Sequence, residues 1–277
     1  MADRARFLGR PLAADRLFVI AGPCVIEGEA LTFDVAARLK EICGRLSIDL
    51  VFKSSYRKDN RTAVDSYTGP EMEEGLRILA RVRDELELPV LTDVHCRLEI
   101  GPAAAVASVL QIPAFLCRQT RLMQEAARTG RVVNVKKGQF LAPADTARIL
   151  EKLRAARADG EYWLTERGTS FGYRDLVVDP RAIATMRDLD CTVVYDATHS
   201  LQHPGTGGDR RFARPLARAA IAAGADGLFL ETHPDPDHAL SDPTTQLPLD
   251  SIPDFLEEMV EWKKVQATQV GRGRIRP

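Results

Sequence analysis

The segment from residue 51 to residue 62, VFKSSYRKDNRT, places cations and hydrogen-bond donors directly after a short apolar run. Lys supplies a point charge, and Arg can donate two parallel hydrogen bonds to one phosphate or carboxylate. Such a segment is suited to binding an anion, although a run of charges can equally be a solvated loop. The distinction depends on whether other apolar runs of the chain end in the same way.

Other apolar runs of the chain also end in polar or ionisable residues. The runs are LFVIAG from Leu17, DLVFKS from Asp49, PVLTDVH from Pro89, SVLQIPAF from Ser108, RVVNVKK from Arg131, EYWLTERG from Glu161, CTVVYDATH from Cys191 and DGLFLETH from Asp226. In the same order, they end in Cys24, Lys53, Asp93 and His95, Gln111, Lys136 and Lys137, Glu166 and Arg167, Asp196 and His199, and Glu231 and His233. Near-continuous apolar runs are typical of strands that are covered on both faces.

Amphipathic segments of helical period lie between these runs, and the alternation of strand and helix repeats about eight times. This order is typical of a (β/α)8 TIM barrel. A doubly wound open sheet is the structural alternative, but no GxGxxG motif follows the first run. Because the 277 residues contain no linker-like tract, we predict a single domain over residues 1–277 with a core over about residues 17–265.

The carboxyl ends of all barrel strands meet at one mouth, where barrel enzymes have their active sites. The cations that this mouth would collect are Lys53, Lys58, Arg61, Lys136 and Arg167. Because like charges repel, such a cluster favours an anion as its partner, and the mixture of Arg and Lys suits a small phosphorylated substrate. The alternative is that individual cations form structural ion pairs with Asp65, Asp93 or Glu166.

Residues with metal-binding side chains come from the two ends of the chain. Closing a barrel sets the eighth strand beside the first, and would bring together Cys24, His199, Glu231 and Asp242. A thiolate, an imidazole and two carboxylates suit one divalent ion, and such a mixed set leaves Fe2+, Zn2+ and Mn2+ open. Taken singly, each residue also has an ordinary structural interpretation, such as a small buried cysteine or a capping histidine.

Composition restricts the partners of the protein. The formal net charge of −1 argues against nucleic acid and against an anionic membrane surface. The longest uncharged stretch, from Gly101 to Cys117, contains two prolines and does not resemble a membrane span. Because the five cysteines form no CxxC pair and no signal peptide is evident, we predict a cytoplasmic protein.

Several motifs carry a resemblance to one known family. They are AGPCVIE, FKSSYRKDNRT, SYTGP, LTDVH, QIPAFLCRQT, NVKKGQF, ERGTSFGY, DATHSLQHPG and ETHPDPDHALSDPTTQLPL. From about residue 17 to about residue 255, they make the chain similar to 3-deoxy-D-manno-octulosonate 8-phosphate synthases. The resemblance implies a TIM barrel, usually a homotetramer. It also implies condensation of phosphoenolpyruvate with D-arabinose 5-phosphate and water, with release of phosphate by cleavage of a C–O bond.

The resemblance assigns the cations to two phosphorylated substrates. Phosphoenolpyruvate would be bound by Lys58, Lys136 and Arg167, with Lys53 nearby, and the sugar phosphate by Asn60, Arg61 and Thr62. The family usually has Ser at the position of Thr62, so the hydroxyl is kept. The residues to which we assign a catalytic role are Lys58, Lys136, His199 and Asp242. In this interpretation the second apolar run ends in donors because an anion binds there.

The other implied residues line the pocket or complete it from a second subunit. Asp93, His95 and Gln111 would line the substrate pocket, whereas Phe115 and Arg118 would reach into the site of a neighbouring subunit. Members of the family with Cys at the position of Cys24 are metal-dependent, and members with Asn there are not. The resemblance therefore implies metal dependence, with the ligands Cys24, His199, Glu231 and Asp242.

Two alternative functions stay open. The related 3-deoxy-D-arabino-heptulosonate 7-phosphate synthases use erythrose 4-phosphate and usually show a KPRTS-type motif after the second strand, where this chain has KSSYRKDNRT. A non-catalytic barrel that binds sugar phosphates is the other alternative, and a phosphate-release assay discriminates it from an enzyme. The glycine-bearing segment HPGTGGDRRF, residues 203–212, is a candidate lid over the site.

Overall fold

A closed barrel of eight parallel strands forms the centre of the computed structural model, which describes residues 5–61 and 63–269. The strands, here β1 to β8, are Phe18–Gly22, Asp49–Lys53, Val90–Asp93, Val109–Ile112, Val132–Lys136, Tyr162–Glu166, Thr192–Asp196 and Gly227–His233. The last strand, β8, pairs with both β7 and β1, with Val194 opposite Gly227 and Gly227 opposite Phe18. This closure confirms the predicted (β/α)8 barrel, and the open-sheet alternative is wrong.

A helix follows every strand, as the crossover between parallel neighbours requires. The helices, α1 to α8, are Glu29–Arg45, Met72–Leu86, Arg97–Val106, Thr120–Arg128, Ala147–Ala156, Arg181–Arg187, Ala213–Ala222 and Ile252–Gln269. Among residues 5–61 and 63–269, no helix combines the length and the hydropathy that a membrane span needs. The assignment of one domain to the whole chain stays a prediction.

Helix α2 illustrates how the sequence covers the barrel. Leu76, Leu79 and Val82 recur at helical spacing and are buried, while charged residues occupy the outer face of the helix. The helix stops at Glu87, whose φ of 52° lies in the left-handed region that commonly ends helices. The chain then enters β3, which is buried throughout.

Aromatic side chains fill the amino-terminal end of the barrel. Phe18 of β1 and Trp163 of β6 have ring centroids 4.9 Å apart, and Phe7 stacks on Trp163 at 6.0 Å. Phe7 belongs to a two-stranded hairpin before β1, and Glu161 accepts hydrogen bonds from backbone N–H groups of that hairpin. The cavity of the barrel accordingly opens at the other end, where the strands have their carboxyl termini.

Gly22, the last residue of β1, lets the backbone of β1 approach that of β2. A Cβ atom at this position would lie 2.0 Å from the carbonyl oxygen of Lys53. Lys53 ends β2, and Cys24 follows Gly22 by two residues, so this close approach sets the spacing between two predicted site residues.

We expect Gly22→Ala to lower the free energy of unfolding by about 1–3 kcal/mol, because the added methyl group overlaps backbone that has no room to move. The matched control is Gly44→Ala, since a Cβ atom on this helical glycine meets nothing within 4 Å. Ala is the better helix former, so the control should gain up to about 1 kcal/mol. Urea unfolding of both variants checks the difference, and equal stability of the two would contradict this account of Gly22.

Candidate active site

A cavity of about 720 Å³ opens at the carboxyl ends of the barrel strands. The predicted site residues that line it are Lys53, Lys58, Asn60, Arg61, Asp93, His95, Gln111, Phe115, Lys136, Arg167, His199, Glu231 and Asp242. Cys24 is buried beside the cavity, where its Sγ atom contacts Asp242, whereas Arg118 is exposed and does not line it. Thr62 lies outside the described residues.

Glu231, near the end of β8, is a completely buried carboxylate with two lysine side chains close to it. Its Oε1 atom accepts a hydrogen bond from Nζ of Lys53 at 2.5 Å and lies 3.9 Å from Nζ of Lys58. Burial by itself would lower the pKa of Lys58, but the carboxylates around it, Glu231 first among them, raise that pKa. The carboxylates thus favour the charged form of Lys58.

A second buried carboxylate, Asp196, joins a lysine to a histidine. Its Oδ2 atom lies 2.6 Å from Nζ of Lys136 and 2.9 Å from Nδ1 of His199. Burial lowers the pKa of Lys136, because Asp196 and the other carboxylates offset the lost hydration only in part. The same ammonium group lies 3.4 Å from the ring centroid of Phe229, a cation–π contact.

The predicted metal ligands lie at the seam where β8 meets β1. Cys24, Glu231 and Asp242 each offer a ligand atom, and these atoms all lie within 4.8 Å of one another. The fourth predicted ligand, His199, places Nε2 3.5 Å from Oε1 of Glu231. The other carboxylate oxygen of Glu231, Oε2, is buried and has no hydrogen-bond partner among the described residues. A thiol, an imidazole and two carboxylates, with one buried oxygen unpaired, are a donor set that fits a divalent ion.

Burial raises the pKa of the Cys24 thiol, and the charge of Glu231 adds to that effect. The protein alone therefore disfavours the thiolate at this position. Sγ of Cys24 lies 3.1 Å from Oδ2 of Asp242, a residue whose φ of 48° lies in the left-handed region. The loop fixes this conformation through Gln246, whose side chain donates to the backbone oxygen of Ser241.

Arg61 lies across the cavity opening and reaches the loop after β8. Its guanidinium donates to Oγ of Ser241 at 2.9 Å, to the carbonyl of Leu240 at 3.0 Å and to that of Tyr67 at 2.8 Å. All three acceptors are neutral, so its positive charge is not cancelled by a partner in these contacts. The neighbouring Asn60 is exposed at the same rim.

Arg167, at the end of β6, is buried and connects to Asp242 through Gln202. Its Nη2 atom donates to Oε1 of Gln202 at 2.6 Å, and Nε2 of Gln202 donates to Oδ1 of Asp242 at 2.8 Å. Nη1 of Arg167 is buried without a hydrogen-bond partner among the described residues. Burial lowers the pKa of this guanidinium. Gln202 begins a hairpin, Gln202–His203 with Gly207–Gly208, that overlaps the predicted lid, and lid motion stays a prediction.

Asp93, at the end of β3, accepts hydrogen bonds on both carboxylate oxygens. Ser55 donates to Oδ2, and Nε2 of Gln111 donates to Oδ1 at 2.6 Å. His95, two residues on, lines the cavity and hydrogen-bonds Glu99 through both its backbone N–H and its ring. Burial would lower the pKa of His95, but Glu99 and Asp93 raise it.

Several residues that hydrogen-bond within the site were not predicted from the sequence. They are Ser55, Asn134, Thr165, Gln202 and Ser241, and no role was predicted for Asp196. A usable signal existed for two of them, since Asn134 and Thr165 are polar residues inside otherwise apolar strands. Gln202 stands in the quoted motif DATHSLQHPG, where its partners were not apparent.

Comparison with known proteins identifies the family. The model of the DAHP synthetase I family matches residues 13–268. A protein of Syntrophotalea carbinolica named 2-dehydro-3-deoxyphosphooctonate aldolase is 53% identical over 247 residues, covering 87% of this chain and 89% of the relative. A protein with the same name from Syntrophobacter fumaroxidans is 50% identical, covering 96% of this chain and 93% of the relative. Another from Nitrosococcus oceani is 54% identical, covering 88% of this chain and 88% of the relative. The chain therefore belongs to the DAHP synthetase I family.

Proposed function

We infer that this chain is an enzyme that condenses phosphoenolpyruvate with D-arabinose 5-phosphate and water, giving 3-deoxy-D-manno-octulosonate 8-phosphate and phosphate. This is the activity of a 2-dehydro-3-deoxyphosphooctonate aldolase, the name that its relatives carry. The geometric observation that carries the inference is the cluster of cations at one cavity, namely Lys53, Lys58, Arg61, Lys136 and Arg167. Two phosphorylated substrates supply the negative charge that such a cluster binds.

The two alternatives are not favoured. A heptulosonate synthase would use erythrose 4-phosphate, but relatives of 50–54% identity are named as octonate enzymes. A non-catalytic barrel is not favoured because the same relatives are named as enzymes and because the cations predicted for substrate binding line one cavity.

The reaction forms one carbon–carbon bond and breaks one carbon–oxygen bond. C3 of phosphoenolpyruvate bonds to the aldehyde carbon of the sugar, whose oxygen takes up a proton. The oxygen of water adds to C2, and the bond from C2 to the bridging oxygen breaks, so that phosphate leaves. In the net reaction the two protons of water end on the new hydroxyl group of the sugar and on the released phosphate. Holding both substrates in one cavity lowers the entropic part of the barrier, and fixed cations stabilise the charge that develops.

We assign phosphoenolpyruvate to Lys58, Lys136 and Arg167, with Lys53 nearby. Nη1 of Arg167 supports this assignment, because a buried donor that has no partner in the described part of the chain is suited to a phosphate or carboxylate oxygen. Asp196 holds Lys136 and His199 together, and so fixes the ring of His199 with Nε2 towards Glu231. The proposed catalytic set consists of Lys58, Lys136, His199 and Asp242.

The sugar phosphate is assigned to Asn60, Arg61 and Thr62, and its hydroxyl groups to Asp93, His95 and Gln111. Arg61 supports this because its hydrogen bonds go to neutral groups, which leaves its charge available to an anion at the rim.

We further propose that the enzyme is metal-dependent, with Fe2+, Zn2+ or Mn2+ held by Cys24, His199, Glu231 and Asp242. Two observations support the proposal: Oε2 of Glu231 has no hydrogen-bond partner within residues 5–61 and 63–269, and the ligand atoms of Cys24, Glu231 and Asp242 lie within 4.8 Å of one another. A bound ion would supply Lewis acidity that orients an oxygen of a substrate.

We also propose that the protein is a homotetramer and that it is located in the cytoplasm. Phe115 lies at the cavity rim with 58% of its surface exposed, and Arg118 is exposed nearby in the chain, which suits the role proposed for both at a neighbouring subunit. The five cysteines are free and four of them are buried, in keeping with a reducing compartment.

The choice of sugar tests the inferred reaction. We expect release of phosphate from phosphoenolpyruvate to be at least tenfold more efficient with arabinose 5-phosphate than with erythrose 4-phosphate, a discrimination of about 1.4 kcal/mol. Measuring kcat/KM for both sugars decides it, and a tenfold preference for erythrose 4-phosphate would establish the heptulosonate alternative.

Arg61→Ala tests the sugar-phosphate site. We expect it to weaken binding of arabinose 5-phosphate by about 1.5–3 kcal/mol, the scale of charge-assisted hydrogen bonds, and to leave phosphoenolpyruvate binding nearly intact. Arg57→Ala is the matched control, because Arg57 stands in the same segment but is exposed and paired with Asp59. Calorimetric titration with each substrate checks both variants. The reverse pattern would mean that the two phosphate sites have been exchanged.

Cys24 tests the metal proposal. Chelator should abolish nearly all wild-type activity, and a divalent metal should restore it. Cys24→Asn should bind less metal and keep an activity that chelator does not change, because the amide can replace coordination by hydrogen bonds. Cys43→Ala is the control, since Cys43 is buried in α1. Metal content by mass spectrometry is measured beside phosphate release. Full wild-type activity after complete removal of metal would exclude the proposal.

A further inference from the structure

A row of hydrogen-bonded side chains crosses the carboxyl ends of neighbouring strands beneath the sugar pocket. Thr165 of β6 donates to Oδ1 of Asn134 at 2.7 Å, and Nδ2 of Asn134 donates to Oε1 of Gln111 at 2.8 Å. Gln111 in turn donates to Asp93, which also accepts from Ser55. All five side chains belong to residues with no more than 6% of their surface exposed.

The row has one possible direction. An ionised carboxylate only accepts hydrogen bonds, so Gln111 must point its NH2 group at Asp93 and its oxygen at Asn134. Asn134 must then direct its own NH2 group at Gln111 and its oxygen at Thr165. The negative charge of Asp93 at the end of the row thus determines which group donates in each hydrogen bond.

Register explains why the row exists. Asp93 pairs with Gln111, and Gln111 with Asn134, as direct neighbours in the ladders between β3, β4 and β5. Asp93 and Gln111 line the cavity, whereas Asn134 does not line it. Any influence of Asn134 on a substrate must therefore pass through Gln111.

We propose that Asn134 is a positioning residue that fixes the amide orientation of Gln111 and thereby presents Asp93 to the sugar substrate as a hydrogen-bond acceptor. The proposal rests on the proposed function. From the described residues, each oxygen of Asp93 receives one hydrogen bond, which leaves further acceptor capacity for sugar hydroxyl groups. Burial would raise the pKa of Asp93, but Lys58 and Lys53 outweigh it and lower the pKa, so the carboxylate form is maintained.

The informative substitution is Asn134→Asp, which exchanges an NH2 group for an oxygen at nearly constant volume. When protonated, the new carboxyl group donates to Gln111 and preserves the row. When ionised, it accepts only, so Gln111 must turn and set its oxygen against Asp93. We expect the KM for arabinose 5-phosphate, relative to wild type at the same pH, to be nearly normal in acid and to rise about tenfold as pH increases, with the KM for phosphoenolpyruvate little changed.

Two further variants keep the test decisive. Asn134→Leu has no ionisable group and should raise the same KM about tenfold at every pH. Thr92→Val is the control, because Thr92 is equally buried on β3 but is not part of the row, and it should stay within about twofold of wild type.

Parallel pH profiles for Asn134→Asp and wild type, with Asn134→Leu no worse than Thr92→Val, would overturn the proposal. If Asn134→Asp does not fold, the KM of Asn134→Leu decides. Failure of both to fold where Thr92→Val folds would also count against it, since Asn134 would then be purely structural. Wild-type phosphate release with arabinose 5-phosphate is measured alongside, so that a failure of the proposed function is recognised separately.

Discussion

The buried carboxylate of Glu231 is the interaction on which the rest of the site depends. An isolated charge at this depth would cost several kcal/mol, and it is tolerated only because cations surround it. Burial by itself would raise the pKa of Glu231, but His199, Lys53 and Lys58 lower it. These partners come from β2, from the loop after it and from the loop after β7, so the charge can be satisfied only when the barrel closes. The site is therefore complete only in the closed barrel.

Closure also explains why the site contains residues that are far apart in the chain. Cys24 and Asp242 are separated by more than two hundred residues, yet Sγ and Oδ2 lie 3.1 Å apart because β8 pairs with β1. On the other side of β1, Gly22 permits the close approach of β1 and β2. The amino-terminal end of the barrel is filled by Phe18 and Trp163, which leaves the polar strand ends to form the cavity.

Sequence patterns predicted the strands, the closure and most of the charged residues that line the cavity, because apolar runs and barrel topology fix which residues end each strand. They did not predict hydrogen-bond partners, which depend on register and on side-chain direction. Asn134 is the clearest case: its type is visible in the run VVNVK, but its role follows only from lying opposite Gln111. Arg61 was expected to face an anion, and in the structure its guanidinium also holds the loop at Ser241. Arg118 does not line the cavity of its own chain, and the role expected of it at a neighbouring subunit stays a prediction.

The cations of the site fall into two classes, and the difference bears on binding. Lys53 and Lys58 lie near Glu231, and the pKa of Lys58 is raised by the negative groups around it. For Lys136 and Arg167, the effect of burial is larger than that of the nearby carboxylates, so their pKa values are lowered. An anion that binds between the latter two raises both pKa values, because it favours their charged forms. In the proposed assignment, the phosphate or carboxylate of phosphoenolpyruvate therefore binds at two cations whose charged forms burial disfavours, Lys136 on β5 and Arg167 beside the end of β6.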